Sequence, residues 1–456
     1  MQTYHNALEL IGNTPMVEVT SLDTGPCRLF LKLENMNPTG SIKDRIGLSM
    51  VEAAEASGEL RPGGTLVEGT AGNTGLALAL IAQQKGYQLI LVIPDKMSRE
   101  KVFNLKAMGA EVVMTRSDVG KGHPEYYQDK AQRIADEREN ALYVNQFGNP
   151  ANPLAHERGT GSEILRQMDG HLDALVCGVG SGGTMTGLSR CFAEASPETE
   201  LVLADPEGSI LADYVATGEV RTDSGSWLIE GIGEDFIPPV ADLSRVHQAI
   251  TISDKESFLC GRELLRREGI LGGTSTGTCV AAALRYCQAH SQPKRVVTFV
   301  CDTGNKYLSK MYNDHWMIDQ GFIERRHYGD LRDLIKHPYT ENDTVVIGPD
   351  EPLITAYARM KLYDISQLPV LEGDRIVGIM DESDVLMAVY GAEERFQAPV
   401  RDVMVTDLQK VDVHASLDDL VLIFSQDHVA IVTDGEQFQG LITRIDLLNY
   451  LRRRIG

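Results

Sequence analysis

Basic side chains are scarce in this sequence. Among 456 residues, 43 Lys and Arg stand against 65 Asp and Glu, a formal charge of −22 with a pI near 4.9. The summed field repels polyphosphate and anionic lipid, which argues against nucleic acid or a membrane surface as a partner. Cysteine offers no staple and no metal cage. The seven residues, Cys27, Cys177, Cys191, Cys260, Cys279, Cys287 and Cys301, form no C-x-x-C pair and no His/Cys cluster, and several sit in apolar runs such as DALVCGV. An odd number of such thiols reads as buried sulfur in a reducing cytosol. Long apolar runs are missing too: none reaches bilayer length, and the opening MQTYHNALELIG lacks the basic flank and apolar stretch of a signal peptide. A cytoplasmic protein is expected.

With 43% hydrophobic and 24% charged residues, the chain is long enough for two or three domains with sizeable cores. Between Arg28 and Gly304, short Val/Ile/Leu-rich runs alternate with amphipathic stretches: RLFLKLE, TLVEGT, QLILVIP, AEVVMT, ALYVNQ, DALVCGVG, ELVLADP and RVVTFVCDTG. This alternation predicts α/β crossover units on a mainly parallel sheet covered on both faces. Beyond LSKMYNDHWMIDQGF the pattern changes, and two related blocks of about sixty residues follow, each with strands, a strand opening near Gly378 or Gly440, and a closing helix that begins near an aspartate. The predicted division is a catalytic domain over 1–316, a linker over 317–338, and repeats over 339–395 and 396–456.

Three glycine-rich loops and one lysine stand out. In NPTGSIKDR (Asn37 to Arg45), Ser41 occupies a helix N-cap position with Asp44 as an imperfect capping-box partner, which puts Lys43 in the first turn. The partial positive charge there favours a neutral, nucleophilic amine. Taken alone, such a lysine is more often a solvated bystander. GVGSGGT (Gly178 to Thr184) follows an apolar run and precedes a helix, so its backbone N–H groups can converge on a phosphate, where an ordinary tight turn is the plainer alternative. Its spacing is neither a dinucleotide fingerprint nor a P-loop. EGTAGNTG contains Thr70, Ala71, Gly72, Asn73 and Thr74, small polar groups suited to a carboxylate or, equally, to capping a buried helix. GGTSTGT (Gly272 to Thr278) is the third such loop.

These segments resemble fold-type II pyridoxal-phosphate enzymes of the cysteine synthase group, whose catalytic domain is tryptophan synthase β-like. NPTGSIKDR is similar to the group's cofactor-anchoring lysine segment, TAGNTG to its substrate-carboxylate loop, GVGSGGT to its phosphate loop and TSTG to the loop that meets the pyridine nitrogen. The resemblance implies pyridoxal 5'-phosphate held covalently by Lys43, which then serves as acid and base. Gly180, Ser181, Gly182, Gly183 and Thr184 would hold the phosphate, Asn73 the ring oxygen, and Ser275 the pyridine nitrogen. Thr70, Ala71, Gly72, Asn73 and Thr74, with Gln146, would cradle the substrate carboxylate. A hydroxyl at Ser275 leaves the pyridine largely unprotonated, which tilts the chemistry toward β-elimination. NPLAH (Asn152 to His156), DPEGSI (Asp205 to Ile210) and EGIGEDFIP (Glu230 to Pro238) resemble the branch of the group that condenses L-serine with L-homocysteine to cystathionine and water, a hydro-lyase of transsulfuration and cysteine biosynthesis. That branch is also expected to release hydrogen sulfide from cysteine plus homocysteine. Two alternatives stay open: a cysteine synthase using O-acetylserine and sulfide, and an adenosyl-ligand sensor with an inert enzyme-like half.

Departures are visible. Ala71 stands where the group commonly has serine, and Phe147 where its animal members have tyrosine, so two hydroxyls near the substrate are lost. The animal branch carries a haem segment ahead of IGNTPMV, which begins here at Ile11; no haem is expected, and no metal. The repeated blocks resemble an α+β CBS-domain pair (Bateman module), whose G-h-x-S/T-x-x-D stretch supplies polar groups to adenosyl ligands. GLITRID places Thr443 and Asp446 in register, whereas GIMDESD has Asp381 at the Ser/Thr position, which disfavours phosphate. A ligand-free pair that serves as an interface is an equal alternative. A homodimer or larger homo-oligomer is expected from the family.

Overall fold

A computed structural model describes residues 3–453, with the exception of residues 71, 96, 98, 121, 222 and 325. The chain divides into two compact units, Met1–Asn313 and Asp314–Gly456.

Among the described residues the first unit contains ten strands in two sheets: β1 (Met16–Glu18), β2 (Arg28–Leu33), β3 (Thr65–Glu68), β4 (Gln88–Pro94), β5 (Glu111–Thr115), β6 (Ala141–Tyr143), β7 (Ala174–Gly178), β8 (Glu200–Pro206), β9 (Val246–Ile252) and β10 (Arg295–Val300). The larger sheet runs β1-β2-β10-β7-β8-β9 and the smaller β5-β4-β3-β6. Every pairing is parallel except β1 with β2. The central strands are buried on both faces, six of seven residues in β4 and in β8, which is why they read as unbroken apolar runs. All eight runs named above are strands. The single sheet expected from them is in fact two, because β2 pairs with β10 across most of the unit while β3 to β6 pair among themselves. No local pattern announces that long-range choice.

The helix Thr274–Gln288 lies in the core with twelve buried residues and packs against Asp254–Glu268. Gly277 permits this approach: a Cβ there would lie 2.0 Å from the Ser257 carbonyl oxygen. Parallel strands send the loops at their carboxyl ends to one side, and the crevice beyond those ends is where α/β folds place ligands.

In the second unit, β11 (Gln367–Glu372) and β12 (Arg375–Asp381) form an antiparallel pair, and β13 (Lys410–Asp412), β14 (Ala430–Asp434) and β15 (Gln437–Ile442) form a three-stranded sheet. Helices Leu353–Tyr363 and Glu382–Val389 cover the first, and Leu417–Ser425 and Arg444–Arg453 belong to the second. The internal repeat extends to a detail: both antiparallel pairs shift register at equivalent places, Val370/Leu371 and Val432/Thr433. Among the described residues no helix is long and apolar enough to cross a membrane.

Candidate active site

Lys43 opens the helix Lys43–Ser57, just after the turn that follows β2. Ile42, not Ser41, is the N-cap, and the capping box expected between Ser41 and Asp44 does not form. The Asp44 carboxylate accepts instead from Thr39 N–H at 2.7 Å and from the Thr39 hydroxyl, closing the Pro-Thr-Gly turn below the helix. Ser41 Oγ accepts from Lys43 N–H at 3.3 Å, while Ile42 N–H donates to the Cys301 carbonyl at 2.9 Å. That bond ties the lysine turn to the end of β10.

The glycine loop after β7 arrives beside it. Gly180 lies so close to a neighbouring loop that a Cβ would sit 2.4 Å from the Gly231 carbonyl oxygen, and Gly182 adopts φ +90°. The helix Gly183–Ala195 then directs its N-terminus at the loop. Asn152 and His156 brace this wall from behind. Asn152 Nδ2 donates to Ser181 Oγ at 3.0 Å and to the Gln146 carbonyl at 2.7 Å. The His156 ring bridges Thr160 Oγ1 at 3.0 Å and Thr184 Oγ1 at 3.2 Å. Burial, then the positive charges of Arg45 and Lys43, push the His156 pKa well down, so its imidazole is neutral.

The loop after β3 forms the opposite wall. Thr74 Oγ1 donates to Gln146 Oε1 at 2.6 Å, Gly72 N–H donates to Thr70 Oγ1 at 3.2 Å, and Asn73 Nδ2 donates to Asp302 Oδ2 at 2.8 Å. Ala71 lies outside the described residues. Ser275, in the first turn of Thr274–Gln288, borders a narrow cleft together with Lys43, Asn73, Gly180, Ser181, Gly182 and Thr184. That cleft opens into a cavity of about 690 Å³ bounded by Lys43, Thr70, Gly72, Asn73, Thr74, Gln146 and Phe147 among others. The structure therefore gathers the described first-unit candidates into one place; Gly183, which heads the phosphate-loop helix, lies behind the cleft wall, where a Cβ would come within 1.8 Å of Asn152 Oδ1.

Charged side chains not singled out from sequence include four at the site, Glu230, Lys306, Asp302 and Glu234, with Lys101 also on the cavity wall. Glu230 pairs with Lys101 and with Lys310 at 2.7 Å; burial works to raise its pKa, but the two ammonium groups outweigh burial and hold it below the ordinary value. Lys306 donates to Asn73 Oδ1 and to the Thr39 carbonyl at 3.1 Å. Asp302 accepts from Tyr307 at 2.7 Å as well as from Asn73, and burial raises its pKa. Glu234 lines the cavity, and burial, reinforced by Asp235, lifts its pKa to about 8. Glu230 and Glu234 stand in an irregular loop, where only a cluster of charges among apolar and glycine residues, as in EGIGED, gives a signal, while Asp302 follows β10 and Lys306 lies in the short 3-10 turn Gly304–Tyr307.

Lys43 is partly accessible through the cavity, yet the protein around it desolvates the ammonium and pulls its pKa below the ordinary lysine value. Cys301, Cys177, Asp302 and Glu234 oppose the shift. A neutral amine is thereby easier to reach than on a surface lysine.

Thr443 and Asp446 lie in the second unit. Asp446 Oδ2 accepts from Thr443 N–H at 2.8 Å and from Thr443 Oγ1 at 2.6 Å, so the pair is satisfied internally. In the first repeat Asp384 likewise accepts from Asp381 N–H, and there Asp381 accepts in return from Asp384 N–H, a complete capping box on Glu382–Val389. The cleft beside Asp446 is small, about 20 Å³, and is bordered by His315, Ile318, Asp319 and Lys336.

Residues 7–302 match the family described as pyridoxal-phosphate dependent enzyme, and 331–391 and 400–453 each match the CBS domain. Similar curated proteins are the cystathionine beta-synthase of Dictyostelium discoideum, 37% identical over 98% of this chain and 92% of that one, and that of Saccharomyces cerevisiae, 33% identical over 98% of each. Among solved structures, a hydrogen sulfide-producing enzyme of Fusobacterium nucleatum is similar over 67% of this chain and 98% of its own (TM-score 0.62, 34% identity). O-ureido-L-serine synthase is similar over 70% and 100% (TM-score 0.63, 33% identity).

Proposed function

Since the chain belongs to the pyridoxal-phosphate dependent enzyme family and is a lyase-type enzyme of β-replacement chemistry, we propose that its substrates are L-serine and L-homocysteine, joined to cystathionine with loss of water. The observation that carries this reading is the cavity of about 690 Å³ beyond Lys43, which is far larger than sulfide needs and has room for an amino acid with a thiol side chain. Cysteine in place of serine would release hydrogen sulfide from the same site.

The residues fit the cofactor. The glycine loop has no space for Cβ atoms at Gly180 and Gly183, where it packs on the Gly231 carbonyl and on Asn152, so the loop is held firmly at the cleft, and a thirteen-residue helix backs it with its positive end. Gly180 to Thr184 would hold the phosphate, Asn73 the ring oxygen, Ser275 the pyridine nitrogen, and Lys43 the covalent link. When bound, the cofactor withdraws electrons from the substrate Cα and so acidifies its proton.

The chain's own groups do the rest. Lys43, kept easily neutral by desolvation, takes the Cα proton and later returns it. The loop from Thr70 to Thr74, with Gln146 fixed by Thr74, orients the substrate carboxylate. The buried wall of Asn152 and His156 keeps the phosphate loop in place. Serine, O-acetylserine and cysteine, each paired with homocysteine or sulfide, provide the test by product identification. Failure to consume homocysteine would sink this reading, and O-acetylserine with sulfide as the sole productive pair would replace it with cysteine synthesis.

For the CBS-domain pair, Thr443 and Asp446 are the groups we assign to an adenosyl ligand, which must first break their mutual hydrogen bonds. Calorimetry with S-adenosylmethionine and adenine nucleotides tests this. A cytoplasmic homo-oligomer, at least a dimer, completes the proposal.

A further inference from the structure

The structure assigns a second proton carrier to the site: we propose that Glu234 delivers a proton to the departing serine hydroxyl and recovers one from the incoming thiol. This deepens the proposed function and rests on serine being the first substrate. Hydroxide is a poor leaving group, so elimination from serine requires an acid near Cβ, and Lys43 is occupied with the Cα proton in the same step.

Glu234 is placed for that task by its backbone. Its N–H donates to Ser209 Oγ at 3.2 Å, and its carbonyl accepts from Ile210 N–H at 3.0 Å and Ser209 Oγ at 3.3 Å. Just before it, Gly233 N–H donates to the Val179 carbonyl at 2.8 Å, and Trp227 Nε1 donates to the Ile232 carbonyl at 3.2 Å. Gly231 and Gly233, at φ +86° and +82°, make the bends that this path needs. Among the described residues, Glu234 thus bonds through its backbone alone, and its carboxyl is left to the cavity that it lines with Lys43.

The other acidic and basic groups of the cavity wall are committed elsewhere. Glu230 is held ionised by Lys101 and Lys310, Tyr307 donates to Asp302, and Lys306 bonds Asn73 and Thr39. Burial first, then Asp235, lift the Glu234 pKa to about 8, with Lys43 opposing and Asp205 adding to the rise, whereas Asp302, also raised by burial, is engaged by Tyr307 and Asn73. Tyr126 and Tyr127 are the remaining titratable groups within its field.

The steps balance. The Cα proton passes to the Lys43 amine, the C–H electron pair becomes part of the Cα=Cβ bond, the Cβ–O bond breaks, and the Glu234 proton joins the hydroxyl to leave as water. In the second half the thiol proton passes to the Glu234 carboxylate, sulfur bonds Cβ, and the Lys43 ammonium returns its proton to Cα. Both residues end as they began.

The test compares E234Q and E234D holoenzymes with the parent in the first half-reaction alone, the single-turnover elimination from serine or β-chloro-L-alanine without homocysteine, since the thiol step calls on Glu234 whichever substrate came first. Chloride leaves without a proton. E234Q is expected to lose roughly 10²-fold or more in the elimination rate with serine and under about tenfold with β-chloroalanine, while E234D regains part of the serine rate. The absorbance of bound cofactor and the melting temperature should stay at parent values. In the parent, serine turnover should fall as pH rises through about 8, and that limb should be absent from E234Q. Equal losses with both substrates, or serine turnover within threefold of the parent, would overturn the assignment. A parent enzyme that ignores serine but accepts O-acetylserine would instead overturn the proposed function, and with it the need for this acid.

Discussion

Glu163→Gln should destabilise the first unit strongly, although Glu163 borders no cavity described above. Four buried charges meet around it: Lys32, Glu34, Arg45 and Glu163, with side-chain exposures of 0, 0, 5 and 8%. Arg45 grips Glu163 through two bonds of 2.8 and 2.7 Å and Glu34 through two of 2.7 and 2.8 Å. Lys32 donates to Glu163 at 2.7 Å, to the Thr14 carbonyl at 2.7 Å and to Gln167 at 3.0 Å. Two positive and two negative groups cancel, so removing one carboxylate leaves a buried cation uncompensated, at a cost of about 3–5 kcal/mol. Burial works to raise the Glu163 pKa, but Arg45 and Lys32 outweigh it and lower it from 4.5 to about 2. That shift corresponds to about 3 kcal/mol by linkage. The sign follows from a depressed carboxylate: the stabilisation is complete above pH 4.5, is roughly halved near pH 3, and is lost toward pH 2. Melting followed through the cofactor absorbance, which reports the first unit, should show a drop on the order of 5 °C or more at pH 7, and the gap should narrow below pH 4.5. A loss under about 1 kcal/mol, or a gap that does not change down to pH 3, would refute the reasoning.

Further outcomes follow from single contacts. Lys43→Ala should abolish turnover and the borohydride-trappable label at that position; a variant with full turnover would remove Lys43 from the chemistry. Gly183→Ala places a methyl group within 1.8 Å of Asn152 Oδ1, so cofactor affinity measured by fluorescence titration should fall at least tenfold. Thr443→Ala removes the 2.6 Å bond to Asp446 and should cost the second unit about 1 kcal/mol as a lost helix-start contact. Unchanged stability together with weaker S-adenosylmethionine binding would assign that threonine to ligand alone.

The sequence was most legible where one residue type has one physical use. Doubly buried parallel strands must be apolar throughout, and the eight runs that became strands have that character. β1 is only three residues long, and β9, at the edge of its sheet, buries only Ile252 fully and carries polar residues, so neither offered a run. The glycine loops were legible because strand-to-helix turns packed this tightly against neighbouring segments exclude side chains, as the Gly180 contact with Gly231 and the Gly183 contact with Asn152 demonstrate. Glu234, in an irregular loop, and Lys306, in a single 3-10 turn, were not, since a charged residue outside a long periodic element looks the same whether it faces water or a cavity. The expected Ser41 cap failed for a related reason: the acid at Asp44 had a nearer pair of donors in Thr39.

The repeat motif carries the sharper lesson about pattern and use. A Ser/Thr or Asp followed three residues later by Asp is what an adenosyl site needs, and it is equally what a capping box needs. The first repeat adopts the full box, in which Asp381 accepts from Asp384 N–H at 3.0 Å while Asp384 accepts from Asp381 N–H at 2.8 Å, and the second keeps the half in which Asp446 accepts from Thr443 N–H. The first repeat can keep its box with an acid at both ends, which explains why Asp381 is tolerated where a ligand-binding reading would want a hydroxyl. In the second repeat the hydroxyl adds a bond of its own, and any ribose that recruits Asp446 competes with it. Ligand binding there and helix-start stability are therefore opposed, because a ligand that recruits both Thr443 and Asp446 must displace the bond between them. S-adenosylmethionine affinity should fall in Thr443→Val, which keeps the shape and the backbone cap; an affinity that rises in that variant would mean that the hydroxyl only competes for Asp446 and does not serve the ligand.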